Sequence, residues 1–498
     1  MAEKTVDLFV IGGGINGAAI ARDAAGRGLS VMLAEKGDYA HATSSASSNL
    51  IHGGLRYLES FEFALVRHSL QERESLLQAA PYLVQPLRFL VPLRSGQRRP
   101  AWLVHLGLKI YDTLAWDRSL AASGRLSSEE IDALPRLRKD NLSAVLHYSD
   151  CRTDDARLVL ALLLDARKRG ADIANYREVT AINALKNGYR INVTEGGKHT
   201  HVKARFVANA AGPWANEINA LCDAPPPERG LRLVRGSHIV LAMPEEKQTT
   251  GYTLQNDDGR VVFSLPWLGE KYLVIGTTDM PHEGDPATAQ CTETEMSYLL
   301  AAYNRYFDHP DGPAVRSDIV CTWSGVRPLA DDGSGDPSKV TRSSAFTHRP
   351  QGTGGFVTVY GGKLTTHRDL AENVMHLFQR MGAHAGNDWT RTAVLPGGHF
   401  SLSELKTHAE RGPEAIAAAT RRRWATTYGD SMMALYEQIA QDPRTAREVV
   451  PGIPEAELIH SREQEDATCA EDFLHRRTKL FMELSRGERI AVARWFGA

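Results

Sequence analysis

The sequence predicts an α/β fold, and three features of residues 7–35 carry that prediction. Residues 7–11 are a short apolar run with β-branched side chains, the pattern of a buried parallel strand. Gly12, Gly14 and Gly17 follow in the spacing G-x-G-x-x-G and open an alanine-rich segment, residues 15–25, with good helix propensity. Residues 29–34 form a second strand that runs straight into Glu35, about 20 residues beyond the glycines.

Each residue type in this stretch has a physical task. Gly12 permits the tight turn, Gly14 lets a pyrophosphate approach the backbone, and Gly17 lets the helix lie against the strand. The helix N-terminus offers free N–H groups and the positive end of its dipole to phosphates. Glu35 can accept hydrogen bonds from an adenosine ribose. Strand, turn, helix, strand and acid in that order define a dinucleotide site.

Composition sets the remaining bounds. With 498 residues, 42% hydrophobic and 24% charged, the chain is an ordinary globular protein of more than one structural unit. A formal net charge of −2 gives no reason to expect nucleic acid as a partner. Five widely spaced cysteines without a C-x-x-C pair argue against a disulfide framework or a zinc site and fit a reducing compartment; no metal is expected. Neither a secretory pattern nor an apolar run long enough to span a bilayer is expected, so any membrane contact should be peripheral.

Further along, residues 42–49 (ATSSASSN) carry hydroxyls that either donate to a cofactor or simply make a polar loop. In LIHGGLRYLE, residues 50–59, Arg56 and Tyr57 follow a Gly-Gly turn, where a fixed arginine can reach an anion. Residues 61–80 read as an amphipathic helix. Residues 81–117 interleave Arg88, Arg94, Arg98, Arg99 and Lys109 with Trp102, Leu103, Leu106, Ile110 and Leu114 near helical spacing. Such a segment suits either an anionic membrane surface or packing on its own domain. A helix ending at Gly170, a strand delivering Gly212, and another delivering Gly361 continue the α/β pattern. Beyond residues 396–398 the chain turns helical and charged.

Glycine turns at Gly12, Gly212 and Gly361 each stand between an apolar strand and a helix, which suits one extended FAD clamped along its length. Together with IHGGLRYLE, YSDCRTDDARLVLA, NAAGPW, RGSHIV, GTTD, SGVRPL, GGKLTTHR and EDFLHRRTKL, these turns make the chain resemble the FAD-dependent glycerol-3-phosphate dehydrogenases of the aerobic, respiratory type. The resemblance runs over nearly the whole chain in order. It implies a FAD-binding Rossmann-like module of the glutathione-reductase and D-amino-acid-oxidase type over residues 1–386. Its FAD-binding parts would be about 1–75, 150–215 and 345–386, with an inserted sheet-bearing substrate domain and a helical domain over 387–498. It also implies oxidation of sn-glycerol 3-phosphate to dihydroxyacetone phosphate, a membrane quinone as electron acceptor, and a homodimer on an anionic inner-membrane surface.

Cofactor contacts are then expected from Gly12, Gly14, Gly17, Glu35, Ser44, Ser45, Gly212, Gly361, Gly362, Lys363 and Leu364. His238 is the expected base for the hydroxyl proton, since imidazole titrates near neutrality; a structural histidine is the competing reading. Arg327 would polarise the oxygen that becomes a carbonyl. Arg56 and Lys363 would hold the phosphate, aided by Tyr57 and Thr365. Lys363 facing the flavin, and Arg56 or Arg327 in internal salt bridges, are the alternatives. An amine or amino-acid oxidase of the same fold and a flavin-holding sensor or assembly protein are the competing functions.

Overall fold

The computed structural model describes residues 4–115, 119–243, 247–309, 312–331 and 344–497. Its first sheet is built on the opening strand Lys4–Ile11, which pairs in parallel with Val31–Ala34 on one side and Lys198–Asn209 on the other. Gly354–Tyr360 extends the parallel set beyond Lys198–Asn209, and Asp172–Ala174 extends it beyond Val31–Ala34. Parallel pairing of these apolar strands requires helices on the faces. Helix Ile15–Gly26 supplies one, packed between helices Asp155–Lys168 and His367–Arg380. Its small residues permit that depth: Ala18, Ala19, Ala21 and Ala24 are all buried.

The second sheet, with ten strands, places Leu231–Ala242 between Tyr272–Gly276 and Ile319–Ala330. It then runs through Val261–Trp267, Gly251–Gln255, Gln85–Arg94 and Leu142–Arg152. Helices Phe63–Ala79 and Ala101–Leu114 share an apolar cluster with this sheet through Val66, Leu70, Leu108 and Tyr111, among Phe89, Tyr148 and Leu265. The expected helix over 61–80 is therefore present as Phe63–Ala79, and the basic, apolar segment 81–117 contains helix Ala101–Leu114, which packs only part of its surface. The last two residues of the basic, apolar segment 81–117 lie outside the described residues.

The C-terminal part is helical, apart from the short pair Glu448–Val450 and Ile453–Pro454. It does not stand apart. Trp424, Met432, Leu435 and Ile439 belong to the same apolar cluster as Leu158, Leu162 and Leu163 of helix Asp155–Lys168. All five cysteines are unpaired. Among the described residues no helix is long and apolar enough to cross a membrane.

Candidate active site

A cavity of about 1870 Å³ runs from the glycine turn to the face of the second sheet. Ligand pockets are typically about 300–1,000 Å³, so this one has room for an extended cofactor and a further molecule. At its first end Gly12 has φ +107°, and a Cβ there would lie 2.7 Å from the Ala210 carbonyl oxygen. A Cβ on Gly14 would meet Ser44 Oγ at 3.0 Å, which leaves the bare backbone open to a ligand. Helix Ile15–Gly26 has no side-chain cap at Gly14, and its Ile15 N–H donates to Ser44 Oγ at 3.0 Å. Glu35 lines the cavity and is fixed by Gly13 N–H at 2.7 Å and Gly37 N–H at 2.8 Å. Its carboxylate therefore faces the helix start in one orientation, with lone pairs left for a ribose.

Gly212, Gly361, Gly362 and Leu364 also line the cavity, and the three glycines have φ of +57°, +74° and +96°. Two expected contacts do not reach it. Gly17 packs its Cα against the strand, where a Cβ would fall 1.9 Å from the Gly12 carbonyl oxygen, so it shapes the turn without lining the site. Ser45 is turned away by the tight helical turn Thr43–Ser45, with its hydroxyl 3.4 Å from the Ala42 carbonyl oxygen. Ser47 and Ser48 line the cavity in its place.

At the other end Arg56, Tyr57, Lys363, Thr365 and Arg327 converge, although they come from three separate stretches of sequence. Arg327 donates to Asp279 Oδ1 at 2.8 Å and to Thr277 Oγ1 at 3.1 Å. Arg56 stands 3.8 Å from Asp279 Oδ2. The salt-bridge reading and the binding reading of these arginines thus coexist: one buried carboxylate orients two guanidinium forks that still face the cavity. Lys363 Nζ lies 3.9 Å from the Tyr57 ring centroid and, buried, makes no hydrogen bond among the described residues. A buried ammonium without an acceptor is costly, so its position suits an anionic or acceptor group on a ligand. Thr365 Oγ1 accepts from the His52 N–H at 3.2 Å; it holds His52 rather than pointing free.

His238, the expected base, lies behind the cavity wall. Its imidazole is 1% exposed and is not part of the cavity lining. It stacks on Trp323, with ring centroids 5.2 Å apart, and its Nε2 is 2.9 Å from Ser48 Oγ. Burial, reinforced by the Arg327 charge, lowers its pKa to about 3, so it is neutral and weakly basic at neutral pH. Two imidazoles line the cavity, His41 near Glu35 and His52, which is four positions before Arg56 and tied to Thr365. The motifs IHGGLRYLE and GTTD contain His52 and Asp279, neither of which stands out as a site residue in the sequence. The nearness of His52 to the Gly-Gly turn was the signal available, whereas nothing local marks Asp279.

A phosphate-ready glycine turn that opens, through one cavity, onto a sheet bearing oriented arginines is the plan of a dinucleotide-dependent oxidoreductase. The chain belongs to the FAD-dependent oxidoreductase family, whose model matches residues 7–368. A second model, the C-terminal domain of alpha-glycerophosphate oxidase, matches residues 389–494. Among relatives, the D-erythritol 1-phosphate dehydrogenase of Brucella abortus is 41% identical, with 100% of this chain and 99% of that one covered. The aerobic glycerol-3-phosphate dehydrogenase of Escherichia coli is 40% identical, over 99% and 97%. The structure of glycerol-3-phosphate dehydrogenase from Bacillus halodurans complexed with FAD superposes with a TM-score of 0.78 at 28% identity, covering 100% of this chain and 91% of that one.

Proposed function

We propose that this chain is an FAD-dependent dehydrogenase that oxidises sn-glycerol 3-phosphate to dihydroxyacetone phosphate and passes the electrons to a membrane quinone. The observation that carries the reading is the convergence of Arg56, Arg327 and Lys363 on the cavity that starts at the glycine turn. A phosphate dianion calls for such cations, and Arg56 offers a planar fork where Lys363 offers a point charge. Bound FAD supplies the hydride acceptor, a chemistry that no side chain provides.

The remaining steps belong to the protein. His52 takes the hydroxyl proton as general base. Arg327, held by Asp279, stabilises negative charge on the oxygen that becomes a carbonyl. Lys363 holds the phosphate, and Tyr57 packs beneath its ammonium. Residues 1–386 form the oxidoreductase module and 387–498 the helical domain.

Peripheral attachment to an anionic membrane on the cytoplasmic side is part of the same reading. Trp102, Leu106 and Phe61 are 68%, 50% and 78% exposed, and Leu103 and Phe63 extend this apolar surface. Phe61, Leu103 and Leu106 also line the cavity mouth, beside Arg98 and Arg99. Exposed apolar side chains rimmed by basic ones suit a lipid headgroup boundary and give a quinone a route to the cofactor. A homodimer completes the proposal; light scattering at twice the monomer mass would support it.

Substrate choice is tested by steady-state assay with a soluble quinone as acceptor. The reading predicts turnover of sn-glycerol 3-phosphate with kcat/KM above that for D-erythritol 1-phosphate and none with glycerol or amines. Preference for the four-carbon phosphate would redirect the assignment towards the 41% identical relative. Turnover of an amine with release of hydrogen peroxide would overturn it.

A further inference from the structure

The run EDFLHRRTKL lies far in sequence from the residues lining the cavity, yet its single lysine, Lys479, reaches the loop that lines it. Lys479 is 5% exposed. Its ammonium donates to Asp155 Oδ1 at 2.9 Å, Asp154 Oδ1 at 3.0 Å and Asn49 Oδ1 at 3.2 Å, which uses all three of its donors. Asp155, itself fully buried, turns its other oxygen to the loop, where Oδ2 accepts from Ser47 N–H at 3.1 Å and Ser47 Oγ at 2.7 Å. Ser47 Oγ in turn accepts from Asn49 N–H at 3.0 Å, and Trp323 Nε1 donates to the Ser47 carbonyl at 3.3 Å. Ser47 and Ser48 line the same cavity as Lys363 and Leu364.

We infer that Lys479 is a positioning residue for the cofactor: through Asp155 it fixes the Ser47–Ser48 wall against which the flavin is held, so the C-terminal domain controls FAD retention. The inference rests on the flavin reading given above. Without the ammonium, Asp154 and Asp155 are left as buried carboxylates lacking their cation, and Asp155 must take up a proton or turn towards water. Either change withdraws the acceptor from Ser47. The two carboxylates hold the lysine firmly protonated, its pKa raised despite burial, so the brace persists across the physiological range.

The test measures FAD release from the holoenzyme after dilution, read as recovery of flavin fluorescence, alongside the thermal midpoint. Lys479→Met should release FAD at least tenfold faster than the parent, and Lys479→Arg should restore most of the retention. Arg421→Met is the control for a merely structural role, since Arg421 is buried and, among the described residues, hydrogen-bonds within its own domain to the Ala409, Pro413, Ile416 and Glu410 carbonyls. It should lower the thermal midpoint and leave FAD release within twofold of the parent. Should Lys479→Met fail to fold, Lys479→Gln, one atom shorter, keeps a donor while removing the charge, and the same tenfold change is expected. Release within twofold of the parent in the folded lysine variant overturns the inference, as does equal FAD loss in Arg421→Met. A parent protein that carries and takes up no FAD would instead remove the flavin reading itself.

Discussion

His238 and His52 differ by position, and that difference fixes what each can do. His238 is enclosed by Trp323 and Ser48, so its neutral form is the one that folds. With its folded pKa lowered to about 3 and an unfolded value near 6.5, the unfolded chain binds the proton first as pH falls. The corresponding stability is complete above about pH 6.5 and is lost progressively towards pH 3, up to about 5 kcal/mol. Denaturant titrations of the parent and His238→Gln across that range should show a shallower acid limb in the variant. His52→Gln should lower kcat by about 10²–10⁴-fold, the usual worth of a general base, while Arg56→Ala should mainly raise KM. Equal losses in both parameters for both variants would sink the division of roles. A histidine in RGSHIV reads equally well as base or core residue, because Trp323 and Ser48, which enclose it, lie 85 and 190 positions away. The arginines were legible because each follows glycine closely in sequence, Arg56 after Gly53-Gly54 and Arg327 after Gly325; their common partner Asp279 was not.

Elements whose logic is local could be read directly. Helix Ile15–Gly26 needs only its glycine start, its alanines and the arginine–glycine end, all within one stretch. Gly17→Ala should abolish FAD binding, since the added methyl would sit 1.9 Å from the Gly12 carbonyl oxygen and push helix from strand; equilibrium dialysis checks this. The hydroxyl-rich loop could be read either as a cofactor loop or as a plain polar loop, and its orientation was not legible. A single tight turn at Thr43–Ser45 decides which serines face the cavity. Helix Ala101–Leu114 illustrates the limit of periodicity. Its spacing defines an apolar face, but only the packing of Leu108 and Tyr111 on the sheet shows that Trp102, Leu103 and Leu106 stay outside. Trp102→Glu combined with Leu106→Glu should cut co-sedimentation with anionic vesicles at least fivefold without changing the thermal midpoint. Unchanged binding would place the membrane surface elsewhere.

At the scale of the whole molecule, the C-terminal helices behave as part of the cofactor domain. Arg477 donates to both oxygens of Asp38, at 2.8 Å and 2.6 Å, just beyond Glu35. Those two guanidinium bonds hold the loop at the adenosine end, as Lys479 holds the loop at the other. With Trp424 and Leu435 in the same core as Leu158 and Leu162, a chain ending at residue 386 should be insoluble or lose its cooperative transition. A soluble truncation that retains FAD would contradict this. The helical character of this region was legible in its composition, whereas its shared core and its two braces depend on contacts across some 300 to 440 positions. The central claim joins the glycine turn to the arginine-lined end of one cavity. It is tested most directly by adding sn-glycerol 3-phosphate anaerobically to the purified yellow protein and following flavin absorbance. Rapid, stoichiometric bleaching by glycerol 3-phosphate, none by glycerol, and loss of bleaching at low substrate in Arg56→Ala are predicted. A flavin that stays oxidised with the phosphate, or bleaches equally with glycerol, would contradict the account.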